Sequence, residues 1–408
     1  MVDSDVDLSL SAWEHLCDYE KFNAMLNGVT EATVVERLRE LAVPFMHRKY
    51  GTTGTLEGVD YSSNQPVMSI DCSETFLVKW LKEKAKDNNL ELCSVILEEG
   101  CKDSEGIWLF KDEVEMIEVG LDCIYACTLT DRWGLMASIL CDLAQKSFKR
   151  RQPIGGSEDF IQRKGLERLL RNSHSSIPSN SKLTMSPLFL VEDDYSQLSV
   201  SGSNNALDNQ EERVDIVENL DKRLRLAEGH VEAGRLLTHY QVSKPIGFFL
   251  KAHEDQKGVK QLLHLVLSKF GRRQPGRSDN EWATMWRDLQ CFQEKAFPFL
   301  DTEYMLLEFC RGLLKAGKFS LARNYLKGTA STALAPEKAK KLVIQAALEY
   351  FFSASSLDSS EIWKAKECLD LFPSSKQVKA EDDLIDAITV KLPRLGVMVQ
   401  LQVTMLHL

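Results

Sequence analysis

Asp301–Gly328 reads DTEYMLLEFCRGLLKAGKFSLARNYLKG, and its periodicity decides the fold. Leu306, Phe309, Cys310, Leu313 and Leu314 recur at the three- and four-residue spacing of one apolar helix face. Asp301 stands where its carboxylate can accept the free backbone N–H groups of the first turn. Gly317 stands where the helix must stop, because a C-terminal cap favours the left-handed conformation that glycine reaches without steric cost. A second helix then turns Leu321, Ala322, Tyr325 and Leu326 inward and ends at Gly328. Such a hairpin cannot bury its apolar face alone. It needs another hairpin against it, which predicts a stacked array of the kind that holds partners.

The neighbouring sequence repeats the pattern. Pro336 opens a helix with Ala339, Leu342, Val343, Ala346, Ala347 and Tyr350 inward, since proline at the first helical position loses no bond. Ser359 is placed to cap a helix containing Ile362, Trp363 and Leu369, and Val378 to Ile388 forms the last. Helix starts near residues 302, 336 and 376 have the period of helical-pair repeats. Upstream, Trp282, Met285, Trp286 and Leu289 mark one helix, and Val259, Leu262, Leu263 and Val266 another. Pro245 is read as the first residue of a helix. From Glu211 a long helix carries Val217, Leu220, Leu224, Ala227 and Val231 on one seam.

The first segment is helical as well. Trp13, Leu16, Tyr19 and Phe22 give an amphipathic opening. Val34, Val35, Leu38 and Leu41 continue it as far as Pro44. A polar, glycine-containing loop spans Gly51 to Pro66. Phe76, Leu77, Trp80 and Leu81, then Leu92 to Leu97, Val119 to Thr128 and Trp133 to Leu143 complete it. No segment shows the alternation of a strand. The expected organisation is all-α: an α-solenoid of stacked helical hairpins with a flexible insert. Residues 1–146 are its N-terminal helical part, 147–209 the insert, 210–396 the helical-repeat core and 397–408 a divergent tail. The insert opens with Lys149, Arg150 and Arg151 and then turns rich in serine and asparagine, a composition that cannot build a core. Its basic run reads as solvated charge.

Composition narrows the function. The chain has 408 residues, 44% of them hydrophobic, and a formal net charge of −10. An acidic field argues against a general binder of nucleic acid or anionic membranes. The N-terminus lacks the pattern of a signal peptide, and no apolar stretch approaches the ~20 residues of a membrane span. The ten cysteines include no C-x-x-C pair, which fits a reducing compartment. Cys123 and Cys127 lie one turn apart. They read as buried thiols rather than half a metal site, because no second pair or neighbouring histidine completes one. The histidines are scattered, and His239, His253 and His264 read as helix-surface or core residues rather than ligands. No metal or cofactor is expected.

Gly312, Gly317 and Lys318 match the spacing G-x-x-x-x-G-K. A phosphate loop also needs a preceding strand and a following serine or threonine. Here Leu306 to Leu314 is helical and Phe319 follows the lysine, so a helix turn is the better reading. A nucleotide hydrolase would rest on this near-match alone. The group worth naming as a partner surface is Arg272, Arg273, Arg277, Trp282 and Trp286, because tryptophan and arginine dominate interface hot spots. The competing reading puts both tryptophans in the core, bridging stacked helices.

From about Leu220 onward the chain resembles the Sec-thirty-nine domain family, most closely its plant neuroblastoma-amplified-sequence-like members. Three stretches carry the resemblance: LRLAEGHVEAGRLLTHYQVSKPIGFFLKA, which begins at Leu224, then SKFGRRQPGRSDNEWATMWRDLQCFQEKAFPFLDTEYMLLEFCRGLLKAGKFSLARNYLKG, then EKAKKLVIQAALEYFFSASSL. FLVKWLKEKAKDNNLELC and FKDEVEMIEVGLDCIYACTLTDRW upstream are similar too, so it covers most of residues 70 to 396. The resemblance implies a non-enzymatic α-solenoid scaffold, a subunit of a Dsl-type (NRZ-type) tethering complex on the cytoplasmic face of the endoplasmic reticulum. Its implied partners are other tethering-complex subunits, endoplasmic-reticulum SNARE proteins and, through them, COPI vesicles returning from the Golgi. Membrane association would be peripheral, no direct nucleic acid contact is expected, and no catalytic residue carries over. A link to RNA surveillance is the alternative role, weakened by the acidic charge. The insert and the ending MVQLQVTMLHL depart from the family pattern. The chain is therefore expected to be an internal piece whose last helices leave an apolar face exposed.

Overall fold

The computed structural model describes residues 10–50, 74–102, 109–149, 208–272, 276–328 and 334–396. Among these residues every regular element is helical and no strand occurs, so the fold is all-α. The loop 51–66, nearly all of the 147–209 insert and the tail 397–408 lie outside the described residues. The chain divides into two compact units, Met1–Val231 and Glu232–Leu408. The division falls inside a long helix, α9, Asp208–His239.

In the first unit, α1 (Leu10–His15) and α2 (Asp18–Met25) replace the single opening helix read from the sequence. Cys17 breaks it. Its sulfur accepts from the Glu20 N–H at 3.4 Å and the Glu20 carboxylate returns to the Cys17 N–H at 2.7 Å, a reciprocal cap that starts a new helix. The next helix does not end at Pro44. α3 (Val34–Arg37) passes through a π-helical turn, Leu38–Ala42, into α4 (Val43–Tyr50). Proline lacks an N–H and crowds the carbonyl four residues back, and the wider turn ahead of it relieves both constraints. Leu41 is consequently turned out to solvent rather than inward.

Four longer helices follow: α5 (Phe76–Lys86), α6 (Leu90–Cys101), α7 (Glu113–Ala126) and α8 (Trp133–Lys149). Thr75, Asn89 and Asp112 cap the first three through side-chain oxygens. α5 packs on α6 and α7, α6 on α7 and α8, and α7 on α8. Leu77, Trp80, Leu81, Ile96 and Ile124 are buried between them, each contributing about 1.5–3 kcal/mol of apolar burial. Cys123 and Cys127 belong to this core, and Cys123 lies beside Cys93.

The second unit repeats the arrangement. Pro245 precedes rather than begins the short α10 (Gly247–Leu250). Then come α11 (Gln256–Gly271), α12 (Asp279–Lys295), α13 (Thr302–Lys315), α14 (Phe319–Leu326), α15 (Pro336–Ser353), α16 (Ser360–Leu369) and α17 (Lys376–Asp386). A π-helical turn, Ala387–Lys391, leads into a last short helix, α18 (Leu392–Arg394). α13 packs against α11, α12, α14 and α15, and α15 against α16 and α17. Asp301 caps α13 through the Glu303 N–H at 3.1 Å, and Gly317 closes the hairpin at φ +69. Phe319, not Leu321, is the residue that α14 buries at its start. Ser359 sits at the N-cap of α16, but its hydroxyl makes no capping bond. Trp363 on that helix is 72% exposed and Leu395 is 77% exposed, with Leu384 also turned outward.

Candidate functional site

α11 and α13 lie side by side in the second unit, and a crevice of about 210 Å³ opens between them. From α11 and its cap, His264, Ser268, Gly271 and Arg272 line it, spaced along one helix edge. From α13 come Glu308, Arg311, Gly312 and Lys315, again at helical spacing. Leu267 and Ala316 supply apolar wall.

Glu308 is only 7% exposed. Burying a carboxylate is costly without a partner, and two cationic or protonatable groups meet it. The Arg311 guanidinium donates to its Oε1, and His264 Nδ1 stands 3.5 Å from its Oε2. Lys315 reaches Glu349 at 3.3 Å, a pair half open to solvent. Arg272 is exposed and has no ion pair among the described residues.

Trp282 forms the wall behind the crevice. It is fully buried, with Phe270 perpendicular to it at 4.9 Å and Phe309 at 5.8 Å. Gly271 and Gly312 bring both helix backbones against its ring. Trp286 is buried one turn on, 5.1 Å from Phe309 and 6.0 Å from Tyr325. Both tryptophans are thus core residues, and neither is available as an exposed anchor. Large rings buried at the junction of three helices contribute more by packing than they would at a surface.

The arginines divide. Arg272 lines the crevice. Arg277 instead lies over the Phe270 ring at 4.6 Å and pairs with Glu281. The Ser278 N–H and then the Arg277 guanidinium hold the Glu281 carboxyl down to about 2. Arg273 lies outside the described residues. Gly312 sits within α13, and Lys318 stands at the start of α14 while pairing with Asp279 at 3.0 Å. The G-x-x-x-x-G-K spacing is therefore a helix and its turn, not a phosphate cradle.

Sequence reasoning missed Glu308, Arg311 and Lys315, and took His264 for an ordinary helix residue. Each is a polar residue at the edge of an apolar face, and only the pairing of α11 with α13 gathers them. The one local signal is a pair of glycines, Gly271 and Gly312, inside or ending helices that otherwise pack large side chains. The Cys310 thiol on α13 is pushed up to about 12 by burial, which leaves it a poor nucleophile. The crevice thus presents one exposed guanidinium, that of Arg272, beside two ion-paired cations and an apolar wall.

The sequence profile of the family described as secretory pathway protein Sec39 matches residues 2–392. MAG2-interacting protein 2 of Arabidopsis thaliana is 50% identical over 390 residues, which are 96% of this chain and 13% of that protein. The NBAS subunit of NRZ tethering complex of Homo sapiens is 21% identical over 403 residues, 94% of this chain and 14% of that protein. The chain thus spans a small part of the length of these curated relatives. No solved structure matches it.

Proposed function

Because the chain belongs to the family of secretory pathway protein Sec39, we propose that it is a scaffold segment of a tethering-complex subunit at the endoplasmic reticulum. The observation that carries this reading is the family match across residues 2–392, on a chain whose helices stack in hairpins. The human relative is named as a subunit of a tethering complex, and the same role is proposed for this chain. The segment acts by position rather than by chemistry: stacked helices hold surfaces for other tether subunits and for endoplasmic-reticulum SNAREs at fixed spacing. It thereby serves the capture of COPI vesicles in Golgi-to-endoplasmic-reticulum retrograde transport. Among the described residues no helix is long and apolar enough to cross a membrane, and attachment on the cytoplasmic face through partners accords with that.

Affinity purification of the tagged chain from plant cells tests the proposal. Recovery of tether subunits and endoplasmic-reticulum SNAREs supports it. Their absence, in a preparation where the chain is folded, rejects it for this segment.

A further inference from the structure

We propose that the α11–α13 crevice is a docking site for an acidic peptide segment of a partner protein. The inference rests on the scaffold reading only in taking the occupant to be a protein.

Three observations converge. The first is charge. Arg272, Arg311 and Lys315 line the crevice; Glu308 pairs with Arg311 and Glu349 with Lys315, which leaves Arg272 as the cation in excess. The chain as a whole carries −10, so this cationic spot stands out against a field that repels acidic segments elsewhere. Glu308 is already engaged by Arg311 and His264, and Arg272 has no ion pair to give up among the described residues. An incoming carboxylate gains a forked guanidinium donor at little cost to existing pairs.

The second is size. About 210 Å³ falls below the ~300–1,000 Å³ of small-molecule and cofactor sites. It accommodates one or two side chains of an extended or helical segment. The third is the mixed lining. Leu267 and Ala316 stand beside the cations, so an acidic residue followed by an aliphatic one meets both charge and apolar wall. A lipid headgroup would meet the charge but leave the apolar wall unused.

The probe is a fluorescein-labelled dodecapeptide alternating glutamate and leucine, titrated into the full 408-residue chain and followed by anisotropy. A lysine–leucine counterpart and vesicles containing phosphatidylinositol 4-phosphate are run beside it. The expected result is saturable binding of the acidic peptide that weakens with salt and falls about tenfold in Arg272→Glu, an exposed position, with Lys315→Glu acting in the same direction. Glu308→Gln, if it folds, strengthens binding by removing the carboxylate that lines the crevice. Absence of saturable binding, binding unmoved by Arg272→Glu, or equal binding of the lysine peptide overturns the proposal. Preference for the vesicles overturns the assignment to a peptide. Loss of peptide binding with tether subunits still recovered from cells rejects the crevice alone. Peptide binding without those subunits rejects the scaffold reading alone.

Discussion

A Cβ placed on Gly312 would stand 3.4 Å from atoms Cη2 and Cζ3 of Trp282, so the indole lies at contact distance from the bare backbone of α13. A methyl group just fits. Gly312→Ala should therefore be tolerated and should raise stability by about 0.5–1 kcal/mol through helix propensity. Gly312→Leu has nowhere to go and should lower the thermal midpoint. Trp282→Ala removes the ring itself and should cost about 3–5 kcal/mol in urea unfolding. A stability loss in Gly312→Ala as large as in Gly312→Leu would show that the contact is tighter than this geometry.

His230 is buried on α9, with Tyr125 Oη 2.9 Å from its Nδ1. Burial pulls its pKa down to about 4. The unfolded chain binds the proton near its ordinary value of about 6.5, the folded chain only near 4. Stability should therefore fall as pH drops through that window, by a total on the order of 3 kcal/mol, and level off below it. In His230→Gln that part of the slope should vanish, whatever the variant's stability at neutral pH.

The Tyr240 hydroxyl donates to Asp288, whose carboxyl burial pushes up. The raised value means that the ionised carboxylate opposes folding at neutral pH and that this opposition is relieved as pH falls through the folded pKa. Tyr240→Phe removes the donor and should cost about 1–3 kcal/mol at neutral pH. Asp288→Asn keeps an acceptor and removes the buried charge, so it should be neutral or stabilising. Urea unfolding of both variants at one pH checks the opposite signs.

Ser278 Oγ accepts the Glu281 N–H at 3.3 Å and caps α12. Ser359 holds the same position on α16 without a capping bond. Ser278→Ala should cost about 1 kcal/mol and Ser359→Ala clearly less. Equal losses in chemical denaturation would contradict the assignment of the cap.

Trp363 is 72% exposed. Trp363→Ser should leave the unfolding midpoint unchanged while removing much of the fluorescence that iodide can quench. It should also weaken binding of a hydrophobic dye. An unchanged quenching curve would place that indole against other protein.

The helical hairpins are legible in the sequence because their signals are local. Asp301, Gly317 and the Leu306–Leu314 face need only the chain's own periodicity, and the structure keeps all three. Pro44 misleads because a π-helical turn ahead of it absorbs the clash that would end a regular α-helix. Ser359 misleads because residue type gives the capacity to cap but not the rotamer. The crevice is hidden for a different reason. His264 and Glu308 are distant in sequence, and nothing in either helix announces which edge its neighbour will cover. Residue type alone points to Arg272, while Trp282 and Trp286 prove to be the packing behind it.

In the second unit the main contacts of the helices from α11 to α17 run to helices one or two places along the chain. Structure of this kind has short loops to close and little long-range pairing to wait for. A newly made α13–α14 hairpin can meet α11 and α12 while α17 is still being synthesised. Folding should accordingly propagate from hairpin to neighbouring hairpin in small cooperative steps, and damage to one hairpin should spread to its immediate neighbours before it reaches the rest.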